Sequence, residues 1–112
     1  MRSIVEYKER PNDVPLLRIY AHDAPHRRQH YQVIQKFREE LVRAAQAANI
    51  KIPITHPVEL YVLFVNPSSP DIDNAIVALY RALDGTSLKG PAILEDDGLI
   101  IGHSAFKFFP YR

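Results

Sequence analysis

The stretch that decides the fold runs from residue 58 to residue 83: VELYVLFV (58–65), NPSSP (66–70) and DIDNAIVALYRAL (71–83). In the first segment Val58, Leu60, Val62 and Phe64 alternate with Glu59, Tyr61, Leu63 and Val65, and because both sets are mostly apolar the segment predicts a central strand. Asn66 to Pro70 end it in a polar turn. From Asp71 to Leu83 the period changes to that of a helix, with Ile72, Ala75, Ile76, Leu79 and Leu83 on one stripe and Gly85 as a helix stop.

A second amphipathic helix is expected over His30 to Ala48, where Ile34, Phe37, Leu41, Ala44, Ala45 and Ala48 recur at helical spacing. Pro25 upstream and Asn49 downstream bound it, and Glu39 with Arg43 forms a favourably oriented surface pair. Upstream, Ser3–Tyr7 and Leu16–Ala21 lean to β structure around the turn-prone Pro11-Asn12-Asp13, which reads as a hairpin. Downstream, Thr86 to Pro91 form a loop of small residues. After Glu95-Asp96-Asp97-Gly98, Leu99 to Phe109 make a last strand with Ile100, Phe106 and Phe108 on one face. The expected fold class is α+β: a mixed, mainly antiparallel sheet with two principal helices packed on it, in one domain over residues 1–112.

Composition narrows the function classes. With 46% hydrophobic and 24% charged residues among 112, the chain is that of a globular domain, neither disordered nor membrane-spanning. The charged opening MRSIVEYKER is unlike a signal peptide, and no apolar run approaches the ~20 residues of a membrane span, so a cytoplasmic protein is expected. Without cysteine there is no disulfide or zinc-thiolate chemistry, and any metal must be held by oxygen or imidazole. The net charge of +1 conceals an asymmetry. Lys8, Arg10, Arg18, Arg27, Arg28, Lys36, Arg38 and Arg43 make the first half basic, whereas Asp71, Asp73, Asp84, Glu95, Asp96 and Asp97 make the second half acidic. A basic half can hold a polyanion near an acidic centre.

Two short motifs carry candidate chemistry. Asp71-Ile72-Asp73-Asn74 lies at a strand-to-helix junction, and Asp96-Asp97 opens the last strand, so carboxylates are expected to converge on loops. In an extended backbone Asp71 and Asp73 point the same way while Ile72 is buried. Carboxylates so crowded call for a cation, and Mg²⁺ or Mn²⁺ suits an oxygen donor set. The same residues also suit simpler roles: an aspartate before a helix is an N-cap that complements the helix dipole, and Asp96-Asp97-Gly98 is an ordinary turn.

Taken together, Asp71-Ile72-Asp73-Asn74, the apolar helix 75–83, the loop of small residues and Glu95-Asp96-Asp97-Gly98-Leu99-Ile100 resemble the RusA-like family of Holliday junction resolvases, over roughly Pro57 to Phe106. The resemblance implies a homodimeric, Mg²⁺-dependent endodeoxyribonuclease of bacteria or their phages, which nicks opposed strands of four-way junctions in DNA recombination and repair. It makes Asp71, Asp73 and Asp97 the catalytic metal-binding acids, with Asp96 a further metal ligand and Asn74 supporting the turn. Family members usually carry a lysine three residues after the Asn, on the helix face of the second aspartate. Here Val77 stands there, which gives an alternative expectation: a junction or structured-DNA binding protein on the same fold, without turnover. Arg81, Lys89 and Lys107 are candidates to supply the missing cation, and Arg27, Arg28, Lys89 and Lys107 to contact DNA.

His22, His26 and His30 recur every fourth residue, but Pro25 interrupts any helix that would gather them, and a polar loop is the simpler reading. His26 and His30 could assist Arg27 and Arg28 in binding phosphate. His103 is expected to pack half-buried in mid-strand and His56 to lie in a loop. Tyr31, Tyr61 and Tyr80 read mainly as packing residues. Phe106 and Phe108, with the end from Phe109 to Arg112, are candidates for a dimer contact, since a two-fold dimer matches a two-fold junction.

Overall fold

The computed structural model describes residues 2–110. Its elements follow in the order β1 (Ile4–Lys8), β2 (Leu16–His22), α1 (Tyr31–Ala47), β3 (Val58–Val65), α2 (Ile72–Leu83) and β4 (Ile100–Phe108), with a short 3₁₀ turn over Asp97–Leu99. The strands make one sheet in the order β1-β2-β3-β4. The fold is α+β, a mixed sheet with two helices packed on it, as the periodicities require. No helix among the described residues is long and apolar enough to cross a membrane.

The sheet is less antiparallel than the sequence suggests. β1 and β2 form the expected antiparallel hairpin, with Tyr7 opposite Leu17, but β2 pairs β3 in parallel and β3 pairs β4 in parallel. The cause is connection length. A parallel pair needs a crossover of a dozen or more residues, and each of these two connections contains a whole helix. In consequence the chain leaves β2, β3 and β4 at the same end of the sheet.

Among the described residues, only one face of the sheet is covered. Leu17, Ile19 and Ala21 of β2 and Val58, Leu60, Val62 and Phe64 of β3 are sealed from solvent against Ile34, Phe37, Leu41 and Ala45 of α1 and Ala75, Leu79, Ala82 and Leu83 of α2. Tyr20, Tyr61, Leu63 and Val65, on the other face, are half-buried. In β4 the expected single face for Ile100, Phe106 and Phe108 does not hold. A bulge opposite Val58/Glu59 shifts the register, so Ile100 pairs Val58 on the helix side, while Phe106 and Phe108 pair Leu63 and Val65 on the uncovered side. An extra residue in one strand turns every later side chain over.

Helix α1 begins at His30, whose Nδ1 accepts from the Gln32 N–H at 3.2 Å as an N-cap. It ends in a Schellman motif: Asn49 is left-handed at φ 59°, its N–H reaches Gln46 O at 3.0 Å, and the Ile50 N–H reaches Ala45 O at 3.0 Å. Helix α2 ends differently. Arg38 of α1 is fully buried, and its guanidinium donates to Ala82 O at 2.9 Å, to Asp84 O, and to Lys89 O at 3.3 Å. A cation from a neighbouring helix thus caps the last carbonyls of α2. Arg38 is thereby withdrawn from the surface cations expected to hold a polyanion. Burial pulls its pKa down, and the nearby Asp84 carboxylate opposes that shift.

Gly85 follows α2, yet its role is not a left-handed cap, because Gly90 is the only glycine with positive φ among the described residues. The requirement is space. The chain returns so closely that the Gly85 N–H donates to Leu94 O at 2.9 Å, and a Cβ at this position would lie 2.8 Å from Glu95 O and 2.9 Å from Leu94 O. Leu94 in turn bridges both Ile54 and Asp84. Gly85→Ala is therefore expected to destabilise the fold by about 1–3 kcal/mol, as for other overpacked sites, measured by urea denaturation. Gly102→Ala, at a position with open space around the missing Cβ, is the control and is expected to change stability far less.

Candidate functional site

The acidic residues gather at two places, separated by the length of α2. Asp71 is the N-cap of that helix, with Oδ1 accepting from the Asp73 N–H at 3.0 Å, and Asp73 lies in its first turn. The backbone is helical from Ile72 onward, so the extended geometry expected for Asp71-Ile72-Asp73 is replaced by a capped helix start. Asn74 supports that start: its Nδ2 donates to Ser69 Oγ at 3.3 Å, and the same Oγ accepts from the Asp71 N–H at 3.2 Å. Both aspartates are exposed.

The second group lies at the other end of α2. Asp84, its C-cap residue, is buried, and its Oδ1 accepts from the N–H and the hydroxyl of Thr86, each at 2.8 Å. Asp97 sits against it. Burial, the charges of Asp84 and Asp96, and a hydrogen bond with Asp84 hold the Asp97 carboxyl above the usual carboxylate range. Asp96 caps the 3₁₀ turn, accepting from the Gly98 N–H at 2.6 Å through Oδ1. Tyr80 completes this end. Its hydroxyl shares a 2.7 Å hydrogen bond with His103 Nδ1, and burial together with the charge of Asp97 raises its pKa.

Asp73 and Asp84 are eleven positions apart, a rise of about 16 Å along a helix. Asp97, in contact with Asp84, does not share a site with Asp71 and Asp73 in one protomer, so the expected convergence of three or four carboxylates is not what the fold produces. Among the described residues no group of three His, Asp or Glu side chains is arranged to hold a metal. What fits a single Mg²⁺ is the pair Asp71 and Asp73, since this ion is often held by one or two carboxylates together with waters and substrate phosphate.

One lysine is anchored next to that pair, and a basic loop lies at the same end of the sheet. Lys107 projects from β4 so that its Nζ donates to Pro70 O at 2.6 Å, one residue before Asp71. The loop of Arg27 and Arg28 is tied to the same end of the sheet, for the Asp23 N–H donates to Val65 O at 2.9 Å and the Ser68 N–H to Ala24 O at 2.9 Å. Gln29 Oε1 accepts from the His26 N–H at 2.7 Å and from Ser68 Oγ at 3.4 Å. His26 Nδ1 accepts from the Arg28 N–H at 2.9 Å, and His30 is engaged in capping α1. The two rings thus shape the loop and the helix start. Asp71, Asp73, the Lys107 amine and the loop that carries Arg27 and Arg28 thus lie at the carboxyl ends of the parallel strands.

Other candidates lie elsewhere. Lys89 is anchored by its backbone to Gln35 and Arg38 in the loop beyond α2, and with Arg81 and Tyr31 it lines a shallow groove beside α1. Tyr31 is 54% exposed rather than packed. Val77 is exposed, one turn after Asp73. His103 is exposed and hydrogen-bonded rather than half-buried, and His56 Nε2 meets the Tyr7 hydroxyl at 3.1 Å in its loop. Sequence reasoning missed the contact of Asp84 with Asp97. An aspartate just before a glycine at a helix end reads as punctuation, and only the returning segment 92–97 gives it a partner.

The fold and site together define an α+β domain with a cation-flanked pair of aspartates at the carboxyl ends of three parallel strands. Comparison with protein-family models, curated proteins and solved structures returns no match.

The Asp97 shift has a defined sign. A carboxyl whose folded pKa is raised contributes stability that is complete below its unfolded pKa, near 3.8, and is lost as pH rises through the folded value. Asp97→Asn, measured with EDTA present, should therefore melt higher than the wild type at neutral pH, by a few degrees at most because the site is partly exposed. The two curves should converge below pH 3.8; a neutral-pH difference of the opposite sign would show that the Asp97 charge is favoured in the fold.

Proposed function

We propose that this chain is a metal-dependent, structure-selective DNA endonuclease of the RusA type, acting on Holliday or related branched junctions as a homodimer in recombination and repair. The observation that carries the reading is the meeting of Asp71 and Asp73 with Lys107 at the carboxyl end of the sheet. Phosphodiester hydrolysis needs carboxylates to hold a divalent ion and a fixed cation to stabilise charge on phosphate. Lys107, held at Pro70 O, stands where it can serve in place of the lysine that Val77 replaces.

In this reading Asp71 and Asp73 hold Mg²⁺ or Mn²⁺, which when bound supplies Lewis-acid activation of phosphate and of water. Lys107 binds a non-bridging phosphate oxygen, and Asn74 with Ser69 keeps the helix start in place. Arg27 and Arg28 contact flanking phosphates and so position the backbone without reading sequence. Asp97 and Asp96 lie outside this ion's reach within one protomer. Their acidity repels the backbone at the far end of α2, which favours one direction of approach.

A second reading rests on two specific observations: the absence of a lysine at Val77 and the separation of Asp97 from the other pair. A junction-binding protein without turnover would have the same basic rim and would need no shared carboxylate centre.

Cleavage of an end-labelled four-way junction, beside a linear duplex and with Mg²⁺, Mn²⁺ or EDTA, separates the two. Paired, metal-dependent nicks in the junction alone are expected, with Asp73→Asn slowing them by at least about a hundredfold, the scale of a lost electrostatic contact at a reacting centre. A junction that is shifted but uncut supports the second reading, and a junction neither bound nor cut excludes both.

A further inference from the structure

The loop that follows α2 is exposed, yet its backbone is held from beneath by α1. Gln35 pairs with Lys89 in both directions: its Nε2 donates to Lys89 O at 2.9 Å, and its Oε1 accepts from the Lys89 N–H at 3.3 Å. Arg38 donates to the same carbonyl at 3.3 Å, and Ser87 Oγ donates to Arg81 O at 2.6 Å. The Lys89 side chain remains open to solvent, beside Gly90 at φ 83°. A cation on a backbone so fixed is presented at one place, with much of the cost of ordering it already met by the fold.

Across from it stands Tyr31, in the first turn of α1. Its ring is 54% exposed and is steadied on one side by His30, with ring centroids 4.6 Å apart. Between the ring and the loop runs a groove of about 770 Å³, within the size range of ligand sites, with Arg81 and Leu88 also in its lining. Its charged groups are two cations, Arg81 and Lys89, against one carboxylate, Glu39, which accepts from Gln35 Nε2 at 3.5 Å. The first turn of α1 carries no acidic residue, so the positive end of the helix dipole adds to that balance. Asp84, Asp96 and Asp97 do not line the groove; they lie on the β4 side of α2, where Tyr80 meets His103.

We infer that this groove takes an unpaired nucleotide of a DNA strand, with the base stacked on Tyr31 and its phosphate held by Lys89 and Arg81. An exposed aromatic ring opposite fixed cations matches the two halves of a nucleotide, and because every base has a face to stack, the site is tolerant of sequence. An acidic peptide would satisfy the cations but leave the ring without a planar partner. A free nucleotide would be held poorly, since small-ligand sites enclose most of the ligand and this groove is shallow. A nucleotide within a strand is delivered by the backbone contacts of its neighbours. The inference rests on the DNA-binding part of the proposed function and deepens it, by naming the feature of branched DNA that is recognised. Arg81 follows Asp73 by eight positions, about 12 Å along α2. The nucleotide bound is therefore a neighbour along the strand of the phosphate at the aspartate pair, and not the one being cut.

The test is the binding, by fluorescence anisotropy with EDTA present, of a labelled duplex ending in a single-stranded oligothymidine tail, beside the same duplex with blunt ends. The wild type is expected to bind the tailed duplex at least about fivefold tighter, the low end of what one base–aromatic stack contributes. Tyr31→Ala, with unchanged circular dichroism, is expected to lose that preference, and Tyr31→Phe, which keeps the ring, to retain it. Lys89→Gln leaves the backbone anchors in place and is expected to lower the slope of log K against log salt by about 0.7, the effect of one phosphate contact on a single strand. Equal affinity of the wild type for the two duplexes overturns the inference, as does a Tyr31→Ala protein that keeps the preference or a Lys89→Gln protein with an unaltered slope. Displacement of the tail by free thymidine monophosphate at micromolar concentration also overturns it, in favour of a free-nucleotide site. A protein with the Tyr31-dependent preference that cuts no junction would keep the inference and sink the nuclease reading, and a junction-cutting protein without that preference would do the reverse.

Discussion

The arrangement depends on one buried cation. Arg38 sits on the apolar stripe of α1 between Ile34 and Leu41, sealed from water, and directs its guanidinium at the carbonyls of Ala82, Asp84 and Lys89. Removing a guanidinium from water costs several kcal/mol, offset only where its donors are satisfied and opposite charge is near. Here the partners are the negative end of the α2 dipole and the Asp84 carboxylate, both provided by the element against which α1 packs. The interaction fixes the angle between the helices, the end of α2 and the path of the following loop in a single contact. The position of Asp84, and through it that of Asp97, follows from Arg38.

With α2 so anchored, the two acidic motifs are held apart by a rigid rod. The start of α2 faces the carboxyl ends of the strands and the loops with Arg27 and Arg28. Its far end faces the returning segment, where Leu94 stitches Ile54 and Asp84 together and leaves Gly85 no room for a side chain. At the far end, burial and the charges of Asp84 and Asp96 hold the Asp97 carboxyl above the usual carboxylate range.

Most of the fold was legible in the sequence because its periods are strong. Val58 to Val65 forms the strand that its alternation describes, and the two helices begin and end within a residue of their expected limits. Strand direction was less legible: nothing in a strand's own residues says whether its neighbour runs parallel, and the helical crossovers were the available signal. The faces of Ile100, Phe106 and Phe108 were misassigned because a bulge has no compositional mark here. The site was legible as residue types but not as a constellation. Asp71, Asp73 and Asn74 are readable as a capped helix start, whereas Asp97 lies against Asp84, since sequence separation does not say at which end of a helix a loop returns. Arg38 had a readable signal, a cation in an apolar stripe at helical spacing, that was masked by counting it with the surface charges.

The exits from β2 and β3 repeat one device. After His22 the chain turns through Asp23 at φ 54°, and after Val65 through Asn66 at φ 50°. In each case the left-handed residue donates its N–H to the last carbonyl of the adjoining strand: Asp23 to Val65 at 2.9 Å and Asn66 to Phe108 at 2.8 Å. A left-handed backbone costs most residues about 1–2 kcal/mol and is tolerated by few besides Asn, Asp and Gly. Either turn would therefore accept glycine or an exchange of Asn for Asp at little cost, whereas a β-branched residue would strain the turn and release the strand-end carbonyl that it holds.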